Sequence, residues 1–186
     1  MIPLLIVLGL LVLVILWVVG IYNGLVRLRN QVKEAWSQVD VQLKRRYDLI
    51  PNLIETVKGY MTHERETLES VTNARAAVAG AGNMQERLDA EGGLTQALGR
   101  LFAVAENYPD LKANTNFLAL QEELSSTENK ISASRNYYNT SVMQLNNKVE
   151  MFPSNLVAGM FNFNQGEFFK IEDPTEREAP RVDFNR

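Results

Sequence analysis

Apolar side chains follow two different patterns along this chain. Up to Tyr22 no side chain is charged, and most residues are Leu, Ile or Val. That length suffices to cross about 30 Å of hydrocarbon as a helix. Trp17 and Tyr22 lie near the far end of the run, where amphipathic rings prefer the membrane interface. Residues 1–22 are therefore predicted to form a transmembrane anchor.

A cleaved signal peptide is the competing interpretation of this segment. No Lys or Arg precedes the apolar run, the run is too long for the apolar core of a signal peptide, and no small-x-small cleavage site follows it. We therefore expect an anchor that is retained.

Basic side chains set the expected orientation of the anchor. Arg27, Arg29 and Lys33 follow it closely, with Glu34 as a partial offset, and only the α-amino group precedes it. The positive-inside bias then places the carboxyl-terminal domain in the cytoplasm and the amino terminus outside. A domain on the outer side of the membrane is the alternative.

Beyond the anchor, apolar or small residues recur in steps of three and four from Leu25 to Val71, with one position of the row, Glu64, polar. This spacing is typical of an amphipathic helix with one buried face. The phase is kept across Pro51, so one helix is predicted from the anchor to about Ala79. Glycines at 80 and 82 suit its end.

Pro51 marks a predicted hinge in that helix. Its ring removes the hydrogen bond to the Tyr47 carbonyl and crowds it, so we expect a kink over residues 47–52. Asp48 is expected to cap the distal half of the helix. Asp48, Pro51 and Asn52 are the predicted hinge residues.

Three further helices are predicted. The second runs from about Met84 to Glu106, and the third from about Thr115 to Met151 with coiled-coil-like heptads of apolar residues. A short fourth helix follows Pro153. The expected fold is all-α: the anchor continues into an antiparallel up-and-down bundle of three to four helices at 23–170, with a polar tail at 171–186.

The short fourth helix carries many apolar residues, in the sequence SNLVAGMFNF followed by Phe168 and Phe169. We expect them to close the core at one end of the bundle. Contact with a bilayer or with a partner protein is the alternative.

Charged residues also lie on the core-facing stripe of the third helix, at Glu128 and Arg135. Charges on such a stripe usually pair or reach water. We expect a buried ion network with Arg45 and Arg46 of the first helix, which could fix helix register. A ligand site is the alternative.

Composition excludes several kinds of chemistry. The chain has no cysteine, one histidine and a net charge of -3, so no thiolate, multi-histidine metal site or nucleic-acid surface is expected. His63-Glu64 followed by Thr67 resembles the phosphoacceptor helix of sensor kinases, but no ATP-binding domain accompanies it. A zinc protease would need histidine at Thr67. No catalytic residue, cofactor or metal is predicted.

An apolar stripe near the membrane suggests self-association. Leu28, Val32, Trp36 and Val39 lie where the shorter second helix cannot cover the first one, and exposed stripes of that kind often mark interfaces. A homo-oligomer is therefore expected. Coverage of the stripe by the third and fourth helices of the same chain is the alternative.

With these parts placed, the chain resembles the LemA family over nearly its whole length. The matching segments are VKEAWSQVDVQLKRRYDLIPNLIETVKGY, ENYPDLKAN, FLALQEEL, SRNYYN, FPSNLVAG and the tail residues EAPRVDF. The resemblance implies a bacterial membrane protein with a helical bundle and no established catalytic residues, and we expect it in the cytoplasmic (inner) membrane. Some relatives are linked to intracellular membrane organelles in magnetic bacteria.

These observations favour a non-catalytic scaffold that is anchored in the membrane and binds itself or a membrane-protein partner. An adaptor in stress sensing or quality control, beside a protease or transporter, is the second hypothesis. An enzyme is the remote third.

Overall fold

The computed structural model describes residues 2–82 and 84–169. Its helices are α1 (Ile2–Lys58), α2 (Arg65–Gly80), α3 (Met84–Ala105), α4 (Pro109–Lys112), α5 (Thr115–Glu150) and α6 (Ser154–Met160). No strand occurs in the described ranges, so the all-α prediction is confirmed. The polar tail expected at 171–186 lies outside the described residues.

The described residues form two compact units. The terminal unit contains residues 2–37 and 134–169, and the central unit contains residues 38–82 and 84–133. Both α1 and α5 supply residues to each unit. Each unit has a core of its own.

The core of the central unit collects one apolar face from each of its helices. Buried residues recur at helical spacing on α1 (Ile50, Leu53, Val57) and on α3 (Leu94, Ala97, Leu98, Leu101, Ala105). Val71 of α2 and Phe117 of α5 join them. Helices α2 and α3 pack on each other, as expected for helices joined by a short connection.

The prediction of one helix reaching Ala79 is wrong. The helix ends at Lys58, the chain turns over residues 59–64, and α2 begins at Arg65. The Val57 carbonyl accepts hydrogen bonds from the N–H groups of Tyr60 and Met61, at 3.0 and 2.9 Å. Met61 in the turn is fully buried. A buried turn residue thus continued the apolar spacing after the helix had ended.

The core of the terminal unit forms where α6 packs on α1. Leu25 of α1 is buried with Val157, Ala158 and Phe163, and Val18 and Ile21 pack against this cluster. Three of the large apolar residues expected in a core at this end are buried: Val157, Phe163 and Phe169. The others, including Leu156 and Met160, are exposed.

A left-handed residue ends α6 and returns the chain to this core. Asn162 has φ 55°, a conformation that asparagine tolerates better than most residues. The Phe163 N–H donates to the Ala158 carbonyl at 2.9 Å, and the Asn162 N–H donates to Gly159 at 3.4 Å. This pair of bonds is a Schellman motif. It directs Phe163 onto Leu25.

Two asparagines of α5 hold the segment that follows α6. The Asn146 side chain exchanges two hydrogen bonds with the backbone of Gly166, at 2.8 and 3.0 Å. Asn139, two helical turns earlier, does the same with Phe169, at 2.7 and 3.1 Å. Each amide therefore satisfies one N–H and one carbonyl of a segment that has no helix to do so. Sequence reasoning did not single out either residue.

Candidate functional site

The predicted hinge is a continuous stretch of α1. The helix runs through Pro51 without a reversal. The Tyr47 carbonyl, for which Pro51 has no N–H, accepts a hydrogen bond from Nε of Arg75 at 3.3 Å. The same guanidinium lies over the Tyr47 ring, 3.9 Å from its centroid. An arginine of α2 thus replaces the missing backbone donor.

Asp48 does not start a new helical segment, so its expected role as a cap is wrong. Its carboxylate oxygens accept hydrogen bonds from Nζ of Lys44 at 3.0 and 3.3 Å, on the exposed side of α1. The carbonyl of Asn52 accepts from Oγ1 of Thr56 at 2.8 Å. Both residues therefore contribute local helix contacts.

Arg46 is the centre of a buried ion cluster in the central unit. Its side chain is 1% exposed and forms an ion pair with Glu91, which is also 1% exposed. Its other terminal nitrogen donates to Oε2 of Glu128 at 2.5 Å and to Oγ1 of Thr95 at 2.8 Å. We call these four residues the Arg46 cluster. It connects α1, α3 and α5.

Two carboxylates share one guanidinium in the Arg46 cluster, and they differ in exposure. The Glu128 side chain is 40% exposed, so water can solvate it. Glu91 has no such access, and its Oε1 atom has no hydrogen-bond partner among the described residues. Because water cannot solvate buried Glu91 in place of Arg46, breaking this ion pair should destabilise the fold more than breaking the pair with Glu128.

Glu91 was not predicted as a site residue from the sequence, although its position on α3 offered a signal. It lies three residues before Leu94, on the row that continues to Leu98, Leu101 and Ala105, and all four of these are buried. A carboxylate on that row needs a cation from a neighbouring helix.

The other predicted members of the network lie elsewhere. Arg45 forms a surface ion pair with Glu123 at 2.7 Å. Arg135 lies over the ring of Phe169 in the terminal unit, 4.4 Å from its centroid. The expectation of one network containing all four predicted residues is therefore wrong. Of the four, the structure brings together Arg46 and Glu128.

The stripe predicted for self-association is covered within the chain. Val39 is fully buried in the central unit. In the terminal unit, Leu28, Val32 and Trp36 are half-buried, and the Trp36 ring lies 5.6 Å from Tyr138 and 6.4 Å from Phe169. The premise of an exposed stripe is therefore wrong. The alternative was coverage by the third and fourth helices of the same chain, and it is met in part: Tyr138 lies on α5, the predicted third helix, whereas Phe169 lies beyond α6.

The region around His63 forms a turn instead of a helical face. His63 is exposed in the connection between α1 and α2. Glu64 accepts a hydrogen bond from the Tyr108 hydroxyl at 3.1 Å; desolvation and this carboxylate raise the pKa of Tyr108. Among the residues that the structure describes, no group of three or more His, Asp or Glu side chains could hold a metal ion.

Residues 35–184 match the model of the LemA family. The chain belongs to the LemA family. Protein LemA of Metamycoplasma hominis is 28% identical over 168 residues, which cover 90% of this chain and 74% of that protein. Magnetosome protein MamQ 2 of Paramagnetospirillum magneticum is 24% identical over 175 residues, covering 80% of this chain and 64% of that protein. The matched part is thus less than two thirds of the MamQ 2 length.

Both the family match and the apolar first half of α1 indicate a membrane-associated helical protein. Within the described part of the chain, α1 is the one helix long and apolar enough to cross a membrane. The uncharged first part of α1, residues 2–22, which we call the apolar window, has no buried residue, whereas an equally apolar core helix of a soluble protein would be mostly buried. Apart from Met1, which lies outside the described residues, the anchor predicted at 1–22 consists of this window.

Proposed function

We propose that this LemA family chain is a non-catalytic scaffold, anchored in the bacterial inner membrane, that organises membrane or membrane-protein assemblies. The observation that carries the proposal is the dual composition of α1. One continuous helix contains both the exposed apolar window and residues of two cores, Leu25 and Ile50. Such a helix fixes a folded domain to a bilayer without a flexible linker.

Two further observations support a scaffold over an enzyme. The most buried charged residues of the described chain, Arg46 and Glu91, are paired with each other and are closed to substrate. The relatives called magnetosome proteins are named after a cellular structure and not after a reaction.

We propose that the folded domain faces the cytoplasm, because Arg27, Arg29 and Lys33 follow the apolar window. The chain has no cysteine, so Ser126→Cys at an exposed position of α5 creates one reactive thiol. A membrane-impermeant maleimide should label it in lysed spheroplasts and leave it unlabelled in intact ones. Equal labelling in both would place the domain on the outer side.

We also propose that the chain self-associates. With the stripe around Trp36 covered, the support is the tethering of like chains in one plane, which raises their effective concentration. Affinity recovery from gentle detergent tests this together with the scaffold. Recovery of two differently tagged copies of the chain is expected. A stoichiometric protease or transporter recovered with a single copy would favour the adaptor role instead.

A further inference from the structure

One side of α6 exposes large apolar residues. Phe152 just before the helix and Leu156 and Met160 within it follow each other at intervals of four, and they are 77%, 61% and 70% exposed. Phe161 at its end is 47% exposed. No residue from Met151 to Gly166 is charged. We call Phe152, Leu156, Met160 and Phe161 the α6 row.

The opposite side of α6 packs on the last part of the apolar window. Val157 and Ala158 are buried against Leu25, with Val18 and Ile21 beside them. Val18 and Ile21 belong to the uncharged run that ends at Tyr22. The short helix therefore lies alongside the residues at which the spanning segment would leave the hydrocarbon.

Aromatic and basic side chains at this place have the character of a membrane interface. The Tyr22 ring packs edge-on against Phe161 at 4.8 Å and against Phe163 at 5.7 Å. The Arg29 guanidinium lies 5.1 Å from the centroid of the Phe163 ring. Aromatic rings favour the headgroup level, and nearby arginine suits lipid phosphates.

We propose that the α6 row is inserted into the boundary between lipid headgroups and acyl chains, as a second membrane contact that does not span the bilayer. The inference rests on the proposed anchoring by α1. Its occupant is lipid because the row is continuous, through Phe161 and Tyr22, with the segment assigned to the bilayer. Short apolar faces next to an anchor need little affinity of their own, since the anchor supplies a high local concentration of lipid.

Depth-resolved fluorescence quenching tests this on the full chain. Single-cysteine variants Met160→Cys, Asn136→Cys and Leu13→Cys carry the dye NBD in vesicles of phosphatidylcholine and phosphatidylglycerol. A nitroxide on the lipid, near the headgroup or deep in the acyl chain, is the quencher. Asn136 is the matched control, because it is exposed on α5 of the same unit and about 21 Å before the end of that helix at 1.5 Å per residue.

The shallow nitroxide should quench the dye at residue 160 several-fold more than the dye at residue 136, and the deep nitroxide should quench the dye at residue 13 most. Equal, weak quenching at 160 and 136 with strong quenching at 13 would overturn the α6 contact and leave the anchor intact. Weak quenching at all three would overturn the anchoring itself. If aqueous iodide and lipid nitroxide both fail to reach residue 160, a second copy of the chain covers the row, and the lipid contact is wrong.

Discussion

Replacing Arg46 by methionine should unfold the central unit far more easily than any surface change. Methionine keeps much of the side-chain volume and removes the charge. Glu91, 1% exposed, would then hold a carboxylate without a cation or water. Breaking a buried ion pair from one side costs about 3–5 kcal/mol. We expect a loss of that size in the free energy of unfolding.

The partner substitution should cost less, because the Arg46 cluster is asymmetric. In Glu91→Met, the guanidinium keeps Glu128 at 2.5 Å and Thr95 at 2.8 Å. The expected loss is about 1–3 kcal/mol, the usual cost of one unsatisfied buried donor. The double variant removes both buried charges, and Glu128 can turn to water. It should be at least about 2 kcal/mol more stable than Arg46→Met alone, since replacing a whole buried pair is often neutral.

Urea unfolding of the full chain in mild detergent, followed by circular dichroism at the helical band, measures these differences. Detergent keeps the apolar window helical, so the change reports on the rest of the chain. Arg45→Met is the matched control: the Arg45–Glu123 pair is exposed and should contribute at most about 1 kcal/mol. If the loss in the free energy of unfolding of the double variant equals the sum of the losses of the two single variants, the two charges act independently and the reasoning fails.

Three more outcomes follow from single contacts. Arg75→Met should cost about 1 kcal/mol less in a Pro51→Ala background than alone, because alanine restores the backbone donor that the arginine replaces; equal costs in urea unfolding would refute this. Asn162→Val should lower stability by about 1–2 kcal/mol while Asn162→Gly leaves it nearly unchanged, since the position is left-handed; equal thermal melting would contradict the motif. Burial and the charge of Glu167 raise the pKa of Tyr138 above its ordinary value near 10. Tyr138 therefore contributes fully to the free energy of unfolding below pH 10, and this contribution is lost as pH rises through the raised pKa. The Tyr138→Phe variant should be about 1 kcal/mol less stable than the parent chain at neutral pH. Between neutral and alkaline pH, its stability should fall less than that of the parent chain.

Helix positions were predictable from the sequence wherever packing repeats in steps of three and four. The predicted second helix, Met84 to Glu106, matches α3 within one residue, and the third matches α5 equally well. The break at 59–64 was missed because Met61 keeps the spacing from inside a turn. The signal for the break was Lys58 followed by Gly59, a basic last turn and a glycine just beyond it.

Partners of the charged residues were less predictable, because pairing depends on how helices face each other. Arg46 and Glu128 could be selected since each lies on an apolar row. Arg45, one residue away, turns by about 100° to the surface and pairs with Glu123. The burial of Trp36 likewise depends on Tyr138 of α5 and on Phe169. Asn139 holds Phe169 in place, and no periodic pattern of side chains encodes such a contact.

The distribution of exposed apolar side chains distinguishes the two units and bears on the lipid contact. In the central unit, Val41, Tyr60 and Leu118 are exposed, and they are scattered as in ordinary soluble domains. In the terminal unit, the α6 row is contiguous and adjoins the end of the apolar window. Exposing such a row to water would lose the free energy that burial of each side chain supplies, about 1.5–3 kcal/mol for a Leu, Met or Phe. Lipid at the boundary of the bilayer can recover that free energy without a protein partner. The same short helix can then bury Val157 in the protein and Leu156 in the membrane, because neighbouring residues of a helix point about 100° apart.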